Sequence, residues 1–449
     1  MTHSSARQHR GTQLLVAVWL IASAGGAWSS VLELEVSTTA DAGEGSLRAA
    51  LETANAQPER PARITFGERG GPFSTPQTIE LQSPLPVIKG EITIDGFISN
   101  LLWRPYGATI SGAGEHRLFE VAPGGHLRLT GVTLRNGRAE SGGAVLNHGR
   151  LEVEGVSLFD NSADQAGGAI ANHGKAFVIN STLAWNRAGR GGGVAHLAGE
   201  LSVINATVYQ NEADTGAAVW SSSSLHLANS IVAGNPDLQQ CLNTGALSAQ
   251  TTHNLIHGGH RGCGEPILDV DPGLEDRTGY YNGPTPTIPV SGSSPVVNLG
   301  LNEAAVDARG RPLQWDQRGN GDPRFASGYT DIGAFERQGH LPTEFLVDTI
   351  EDTGLRACAV TGNANCPLRA ALELAVAARH PTPVKFNPEV FEKPRRLVLN
   401  HIPDLEGHPI MLDGKGAAPI TIVVPFPVDW EVVNGVEIIV DAKIAGGTP

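Results

Sequence analysis

The sequence is poor in aromatic residues and in positive charge. Aromatic residues make up 5% of its 449 residues, so a large core has to be built from aliphatic side chains in thin layers. Lys and Arg number 32 against 46 Asp and Glu, and this net charge of −14 argues against a nucleic-acid partner or an anionic membrane surface. The sequence also has no phosphate-binding loop, no dinucleotide-binding motif and no Ser, His and Asp that can be assigned as a triad. This composition is compatible with a soluble extracellular protein.

Long apolar runs are missing as well, with one exception at the N-terminus. Leu14 to Ala22 is a short apolar segment behind the basic residues Arg7 and Arg10, and small residues follow it as far as Ala24. We predict a secretory signal peptide at residues 1–24, with an uncleaved anchor as the alternative. We expect no transmembrane segment after it, because no later run is long and apolar enough to span a bilayer.

Cysteine is rare and falls in two local pairs, Cys241 with Cys263 and Cys358 with Cys366. In an exported chain, an even number of locally paired cysteines favours disulfides. Neither pair has CxxC spacing or a clustered His partner, so a metal site is the weaker interpretation. We predict two disulfides, no metal and no cofactor.

Glycine, by contrast, is abundant, and much of it belongs to a repeat that spans residues 127–235. An eight-residue pattern of alternating apolar residues recurs every 24 or 25 residues, starting at Leu127, Leu151, Ala176, Leu201 and Leu225. A fixed period of this length predicts a solenoid, in which stacked units complete one another's core.

Within each unit the apolar residues alternate with a period of two, which is typical of strands. The phase slips by one residue at the same place in every unit, where a bend between two strands requires Gly or Asn: Gly131, Gly155, Asn180, Asn205 and Asn229. Short strands, bends and a Gly-rich corner predict an all-β fold, with each unit forming one coil of a parallel β-helix.

The chain also predicts a cap for this solenoid and a second, partial copy of its start. Residues 47–54 read as a short amphipathic helix with Ser46 as the N-cap, and such a helix covers an open solenoid end. The segment Ser46–Leu51 has a counterpart at Pro367–Leu372. We therefore divide the mature chain into a capped β-helix (31–235), a loop-rich region with a C-terminal cover (236–340) and a second partial β-helix start (344–449).

Several motifs resemble those of known exported bacterial proteins. The loop-rich region resembles the choice-of-anchor Q domain, through an ordered series that includes a Cys pair, Asn282-Gly-Pro-Thr-Pro-Thr287, Asp316-Gln-Arg-Gly319 and Asp331-Ile-Gly-Ala-Phe-Glu336. The two helix segments resemble the CSLREA domain, although the first has Gly45 in place of its Cys. The repeats are similar to those of polymorphic outer membrane proteins, with Gly167-Gly-Ala-Ile170 as an example. The resemblance implies a right-handed parallel β-helix that is secreted or displayed at the cell surface, and it implies no catalytic residue.

Two columns of polar residues recur with the repeat. Stacked Asn side chains hydrogen-bond along the axis of a solenoid, so we interpret one column as a structural ladder: Asn136, Asn161, Asn186, Asn211 and Asn235. A second column faces outward by parity, and either favours the strand or meets a glycan or an ice-like lattice: Thr133, Ser157, Thr182 and Thr207.

The leading functional hypothesis is a non-catalytic role in binding, adhesion or scaffolding, toward extended partners such as extracellular glycans. The alternative is a polysaccharide lyase or glycoside hydrolase, which needs carboxylates on one flank. Its candidate catalytic residues are Glu152, Glu154 and Asp164, although the positions aligned with the two glutamates on the next coil are not acidic. His148 and His173 share a register, but no third ligand aligns with them, so surface turns explain them better than a metal does.

Overall fold

The computed structural model is an almost entirely β solenoid of about 11 turns, in agreement with the predicted right-handed parallel β-helix. It describes the following residues: 31–67, 72–97, 107–275, 277–291, 294–297, 299–319, 321–325, 330–337, 345–350, 366–369, 371–372, 383–399, 410–425, 428 and 430–440. The predicted signal peptide lies outside the described residues.

Each complete coil contributes strands to four parallel sheets, which we number in the order that the chain visits them. Sheet I contains Leu32–Val36, Ala62–Phe66, Glu91–Asp95, His126–Thr130, Arg150–Glu154, Lys175–Ile179, Glu200–Ile204 and Ser224–Ala228. Sheet II contains Thr78–Glu80, Thr109–Ser111, Thr133–Arg135, Ser157–Phe159, Thr182–Ala184, Thr207–Tyr209, Ile231–Ala233 and Leu255–Ile256.

The other two sheets follow the bend after sheet II. Sheet III contains Arg138–Ser141, Ser162–Ala166, Arg187–Arg190 and Glu212–Thr215. Sheet IV contains Phe119–Val121, Val145–Asn147, Ile170–Asn172, Val194–His196, Val219–Ser221 and Cys241–Asn243.

The register of sheet I confirms the predicted stacking. Leu127 pairs with Leu151, and Leu201 pairs with Leu225 two coils further on; all four side chains are buried. Alternation places every second residue inside the coil, where it stacks on its equivalents in the coils above and below. The core is therefore aliphatic and layered, as the scarcity of aromatic residues predicts.

The five predicted bend residues between sheets I and II all have positive φ, from 45° at Asn180 to 65° at Gly155. One residue with a left-handed backbone at this corner bends the chain and shifts the alternation of inward and outward side chains by one position. The apolar residues of the sheet II strand therefore point inward again. Gly and Asn tolerate this conformation best, which explains the phase slip in the sequence.

The N-terminal helix Leu47–Asn55 forms as predicted. Ser46 accepts a hydrogen bond from the Ala49 N–H at 3.2 Å, as an N-cap does. The apolar face of the helix, with Leu47 and Leu51, belongs to the same core cluster as Ile64 and the rest of the early coils. The described residues also contain two short 3-10 helices, Pro72–Ser74 and Asn302–Ala304.

Residues 274–337, which we call the cover, pack along sheet II. Within the described residues the cover has no strand, and its β-pairing consists of isolated antiparallel bridges such as Leu274 with Val290. Val290, Val296, Ile332 and Phe335 form an apolar cluster with the outer side chains of the last coils. The cover therefore lies on a flank of the solenoid.

The position of the cover corrects one expectation. The Thr/Ser column of sheet II does point away from the coil interior, but Thr133, Ser157, Thr182 and Thr207 are at most 3% exposed. Parity fixes the side of a sheet on which a residue lies, but it does not show which later segment packs there. This column is therefore not available to a glycan or an ice-like lattice.

The C-terminal part is a second, smaller β-helix start. Its two parallel sheets contain Phe345–Val347, Pro383–Phe386, Ile410–Asp413 and Trp430–Val433, and Arg395–Val398, Ile420–Val424 and Val436–Val440, respectively. The segment that matches the N-terminal cap is helical at 368–369 and 371–372. Leu368 and Leu372 are buried in a cluster with Phe386 and Leu412, as the sequence match predicts.

Candidate ligand-binding groove

Sheet III forms the floor of an open groove of about 880 Å³. Its strands present small residues in the middle, among them Ala163, Ala188 and Ala213, so the floor lies close to the backbone. Longer polar side chains rise on both sides of this floor. The lining residues come from consecutive coils, because equivalent positions of a solenoid stack along its axis.

Trp185 stands at the edge of the groove and is 39% exposed. Its indole N–H donates a hydrogen bond of 2.8 Å to the Gln210 side-chain carbonyl, and its ring lies 5.3 Å from that of Phe159. Phe159 is buried in turn against Ile288 of the cover. Trp185 is therefore fixed on one side by Gln210 of the neighbouring coil and on the other by Phe159, which packs against the cover.

The backbone of Trp185 is unusual for so large a residue. It has a φ of 57°, like the residues at the same position in the neighbouring coils, Asn136 (52°), Asp160 (56°) and Gln210 (50°). Asn and Asp visit this left-handed region readily, whereas a bulky side chain rarely does. The position therefore accepts a tryptophan at a local cost.

The groove carries charges of both signs. Arg138 lies 3.7 Å from Asp164, and Arg187 lies 3.5 Å from Glu212, with all four side chains well exposed. Asp214 also lines the groove and makes no ion pair with any described residue. Two guanidinium groups and three carboxylates thus face one solvent-filled space.

The candidate catalytic residues do not form one site. Glu152 and Glu154 point outward from sheet I, whereas Asp164 lies on sheet III. Glu152 lies 3.3 Å from the His126 imidazole and 2.5 Å from the Arg150 guanidinium. The contact with His126, reinforced by Arg150, lowers the pKa of Glu152 to about 2.

Glu154 is a neighbour of Glu152 with a different environment. The Arg128 guanidinium binds it at 2.8 Å, but burial raises the pKa of its carboxyl. Both glutamates are thus engaged by basic side chains on their own flank. This arrangement stabilises the outer surface of sheet I, and it leaves Asp164 as the one candidate in the groove.

Three of the five predicted ladder asparagines form a continuous hydrogen-bonded column. Asn161 donates its side-chain N–H to the Asn186 side-chain carbonyl at 3.0 Å, and Asn186 donates to Asn211 at 2.9 Å. Asn136 lies one position earlier in its coil than the other three, at the position of Asp160. Asn235 is exposed, and its side-chain carbonyl accepts a hydrogen bond from the Asp237 backbone N–H.

Sequence reasoning missed a second polar column at the corner after sheet IV. Asn147 donates to Asn172 at 2.6 Å, and the Asn172 amide lies 2.9 Å from the ring Nδ1 of His196. Burial lowers the pKa of His196. The repeated Asn-His-Gly sequence was the available signal for this column, because the Asn of each copy turns inward while its His turns outward.

The outward histidines of that corner, His148 and His173, stack with ring centroids 4.8 Å apart. Burial lowers the pKa of His173, and the neighbouring His148 lowers it further. No group of three His, Cys, Asp or Glu among the described residues converges to hold a metal ion. The pair therefore forms a stacked turn surface.

Cys241 and Cys263 form a disulfide with an S–S distance of 2.08 Å, which joins the last strand of sheet IV to the turn that follows the last strand of sheet II. Cys366 is not a free thiol, but its predicted partner Cys358 lies outside the described residues. In the described part of the chain, no helix is long and apolar enough to cross a membrane. Comparisons with known protein families and with curated proteins gave no match.

Proposed function

We propose that this chain is an exported, non-catalytic β-helix protein that holds an extended glycan in the sheet III groove. The observation that carries this proposal is Trp185, which is exposed, lines the groove and has a positive φ. A non-glycine residue in this conformation costs about 1–2 kcal/mol, and a smaller polar residue would relieve part of that cost. A costly aromatic side chain that remains exposed favours a role in ligand contact over a role in the fold.

The groove also suits sugars chemically. An indole face packs against the apolar C–H face of a sugar ring, while the polar groups around it stay available for hydroxyls. The indole N–H itself is bonded to Gln210, which fixes the orientation of the ring. The exposed Leu238, at 36%, adds a second apolar contact surface on the lining of the groove. Concave sites that combine apolar surface with a few placed polar groups are typical of ligand sites.

We infer that the protein is secreted or displayed on a bacterial cell, as its resemblance to CSLREA and choice-of-anchor Q proteins implies. Two observations support this setting. The Cys241–Cys263 disulfide favours an oxidising compartment. Two of the motifs that resemble the choice-of-anchor Q domain, at 316–319 and 331–336, lie within the cover, where Asp316 and Glu336 are buried. Mass determination of the N-terminus after expression in a bacterium would test the predicted cleavage near residue 24.

Glycan binding is tested with the purified chain on a panel of immobilised polysaccharides. We expect binding to at least one polysaccharide, and weaker binding by the Trp185→Ala variant. Trp220→Ala is the matched control, because Trp220 lies outward on sheet IV beneath the Arg190 guanidinium, 4.5 Å from its ring centre. Absence of binding across the whole panel contradicts the proposal.

A polysaccharide lyase or hydrolase is the second candidate, and one observation favours it. Asp164, Glu212 and Asp214 share a groove with two arginines, and glycosidic bond cleavage requires carboxylates on both sides of the scissile bond. Release of reducing or unsaturated ends from the bound polysaccharide, abolished in Asp164→Asn or Asp214→Asn, would replace the non-catalytic proposal with this one.

A further inference from the structure

We propose that the groove takes a neutral glycan that lies along the solenoid axis, with one sugar ring against Trp185, and that it rejects polyanionic glycans. This inference rests on the proposed function and specifies its ligand class. It follows from the direction of the groove, its charges and the nature of its floor.

The groove runs along the solenoid axis because its lining residues are equivalent positions of successive coils. Arg138, Ser162, Arg187 and Glu212 pair in register on adjacent strands of sheet III. The lining then continues to Leu238 in the next coil. Four strand spacings of about 4.8 Å make this row roughly 19 Å long, which accommodates several sugar rings of one linear chain.

The charges of the groove favour hydroxyl groups over anionic groups. Each arginine lies near a carboxylate, at 3.7 Å and 3.5 Å, so neither positive charge is left uncompensated. Asp214 adds a carboxylate that has no ionic partner among the described residues. A uronate or sulfate group would meet a net negative surface, whereas a sugar hydroxyl donates a charge-assisted hydrogen bond to a carboxylate.

The floor also distinguishes a glycan from an extended peptide. A peptide gains affinity by adding to the free edge of a sheet, where unpaired backbone groups are available. Here the floor is a sheet face whose two inner strands, Ser162–Ala166 and Arg187–Arg190, already pair with a strand on either side, and a row of small residues lies between its polar side chains. A floor that combines small and polar side chains beside an indole suits a sugar ring better.

The experiment compares neutral polysaccharides with polyuronates and sulfated polysaccharides, at low and at physiological salt, using the intact chain. We expect binding to at least one neutral polysaccharide and at least about tenfold weaker binding to each anionic one. Trp185→Ala is expected to weaken neutral binding at least about tenfold, as removal of an aromatic contact with the ligand does, while Trp185→Phe retains most of it. The intrinsic fluorescence of the wild type should change on binding, and that of Trp185→Ala should not.

The acidic side chains are tested separately. Replacing Glu212 and Asp214 together by Gln and Asn should weaken neutral binding about three- to tenfold and reduce the discrimination against polyuronates. Glu115→Gln, at an exposed turn outside the groove, is the matched control and should change neither. All of these side chains are largely exposed, so the variants should fold, and their thermal unfolding would verify this.

The outcomes separate this inference from the proposed function. Tighter binding to a polyuronate, with the same dependence on Trp185, would overturn the ligand class and leave glycan binding intact. Binding that is unaffected by Trp185→Ala would remove the groove as the site. Failure of every glycan to bind, with capture of an extended peptide instead, would overturn both proposals.

Discussion

The coils between residues 127 and 235 and the cover between 274 and 337 satisfy their buried polar groups by different means. In the coils, backbone groups pair in parallel ladders, and most inner side chains are aliphatic. Most buried polar side chains there are neutral, and the amides of Asn161, Asn186 and Asn211 bond to one another from coil to coil, although Glu152 is a buried carboxylate. The repetition of one sequence unit therefore supplies both partners of each contact.

The cover has almost no ladder, and instead it buries ions. Arg318 binds Asp316 at 2.6 Å and Asp322 at 3.0 Å, and Arg324 lies 3.4 Å from Glu336. Arg324 and Glu336 are fully buried. Since Asp331 is buried there as well, two guanidinium groups meet four carboxyls, and burial raises the pKa of Glu336 well above its ordinary value.

These ions also attach the cover to the coils. Arg324 donates a 2.7 Å hydrogen bond to the side-chain carbonyl of Asn180, one of the bend residues, and Gln317 bonds to Ser157 and Thr182 of sheet II. The periodic coils and the irregular cover thus share one interface. The repeat supplies a regular row of polar positions, and the cover supplies charged and amide groups that match them one by one.

The largest expected effect comes from removing the central cation of the cover. Arg324→Met should lower the free energy of unfolding by about 3–5 kcal/mol, because it leaves Glu336 and its neighbours without their buried counter-charge. Chemical denaturation would measure the loss, and hydrogen exchange should show increased exchange of cover amides before that of the coils.

Arg311→Met is the matched control for that variant. Arg311 pairs with Asp307 at 2.6 Å, but 63% of its side chain is exposed, and such pairs contribute less than about 1 kcal/mol. Equal losses in the two variants would mean that the buried ions do not hold the cover in place.

A smaller effect is expected from breaking the neutral column of the coils. Asn186→Ala removes the donor to the Leu158 carbonyl, at 2.9 Å, and the acceptor for the Asn161 backbone N–H, at 3.0 Å. Buried groups left without partners cost about 2–3 kcal/mol together. Denaturant titration would measure this, and Asn235→Ala, at an exposed position, should stay within about 0.5 kcal/mol of the wild type. A cost below 0.5 kcal/mol for Asn186→Ala as well would show that water replaces the ladder without penalty.

The coils could be predicted from the sequence because their contacts recur with a fixed period. The alternation of Leu127 and Leu129 fixes which side chains point inward, and the slip at Gly131 fixes the bend, so the register with the next coil follows from the period alone. The capping helix was equally visible, since Ser46 and the apolar spacing after it identify both its start and its buried face.

The cover and the groove could not be predicted in the same way. The hydrogen bond between Thr182 and Gln317 joins residues 135 positions apart, with no period that relates them. The groove depends on the outward residues of sheet III, whose strand Ser162–Ala166 shifts register in both of its pairings. Trp185 was overlooked because it occupies a bend position, where the pattern predicts a small or amide residue.

The smallest expected effect is a difference between the coils and the cover in how their stability depends on pH. In the coils, this dependence comes from Glu152. The pKa of Glu152 in the fold is about 2, below its ordinary value of 4.5, owing first to His126 and then to Arg150. The ionised carboxylate therefore stabilises the fold above about pH 4.5, and this stabilisation is lost as the pH falls toward 2. We expect a loss on the order of 2 kcal/mol over that window.

In the cover, the raised pKa of Glu336 has the opposite sign, so its protonation on acidification does not cost stability there. Glu152→Gln should therefore be less stable than the wild type at neutral pH and should lose less stability on acidification. Glu154→Gln, on the same strand, is the control: because burial raises the pKa of Glu154, removing this carboxyl should not reduce the loss of stability on acidification. Urea titrations at a series of pH values would measure all three. If acid releases the cover before it weakens the coils, the buried ions of the cover, rather than the contacts of Glu152 with His126 and Arg150, set the acid stability of the protein.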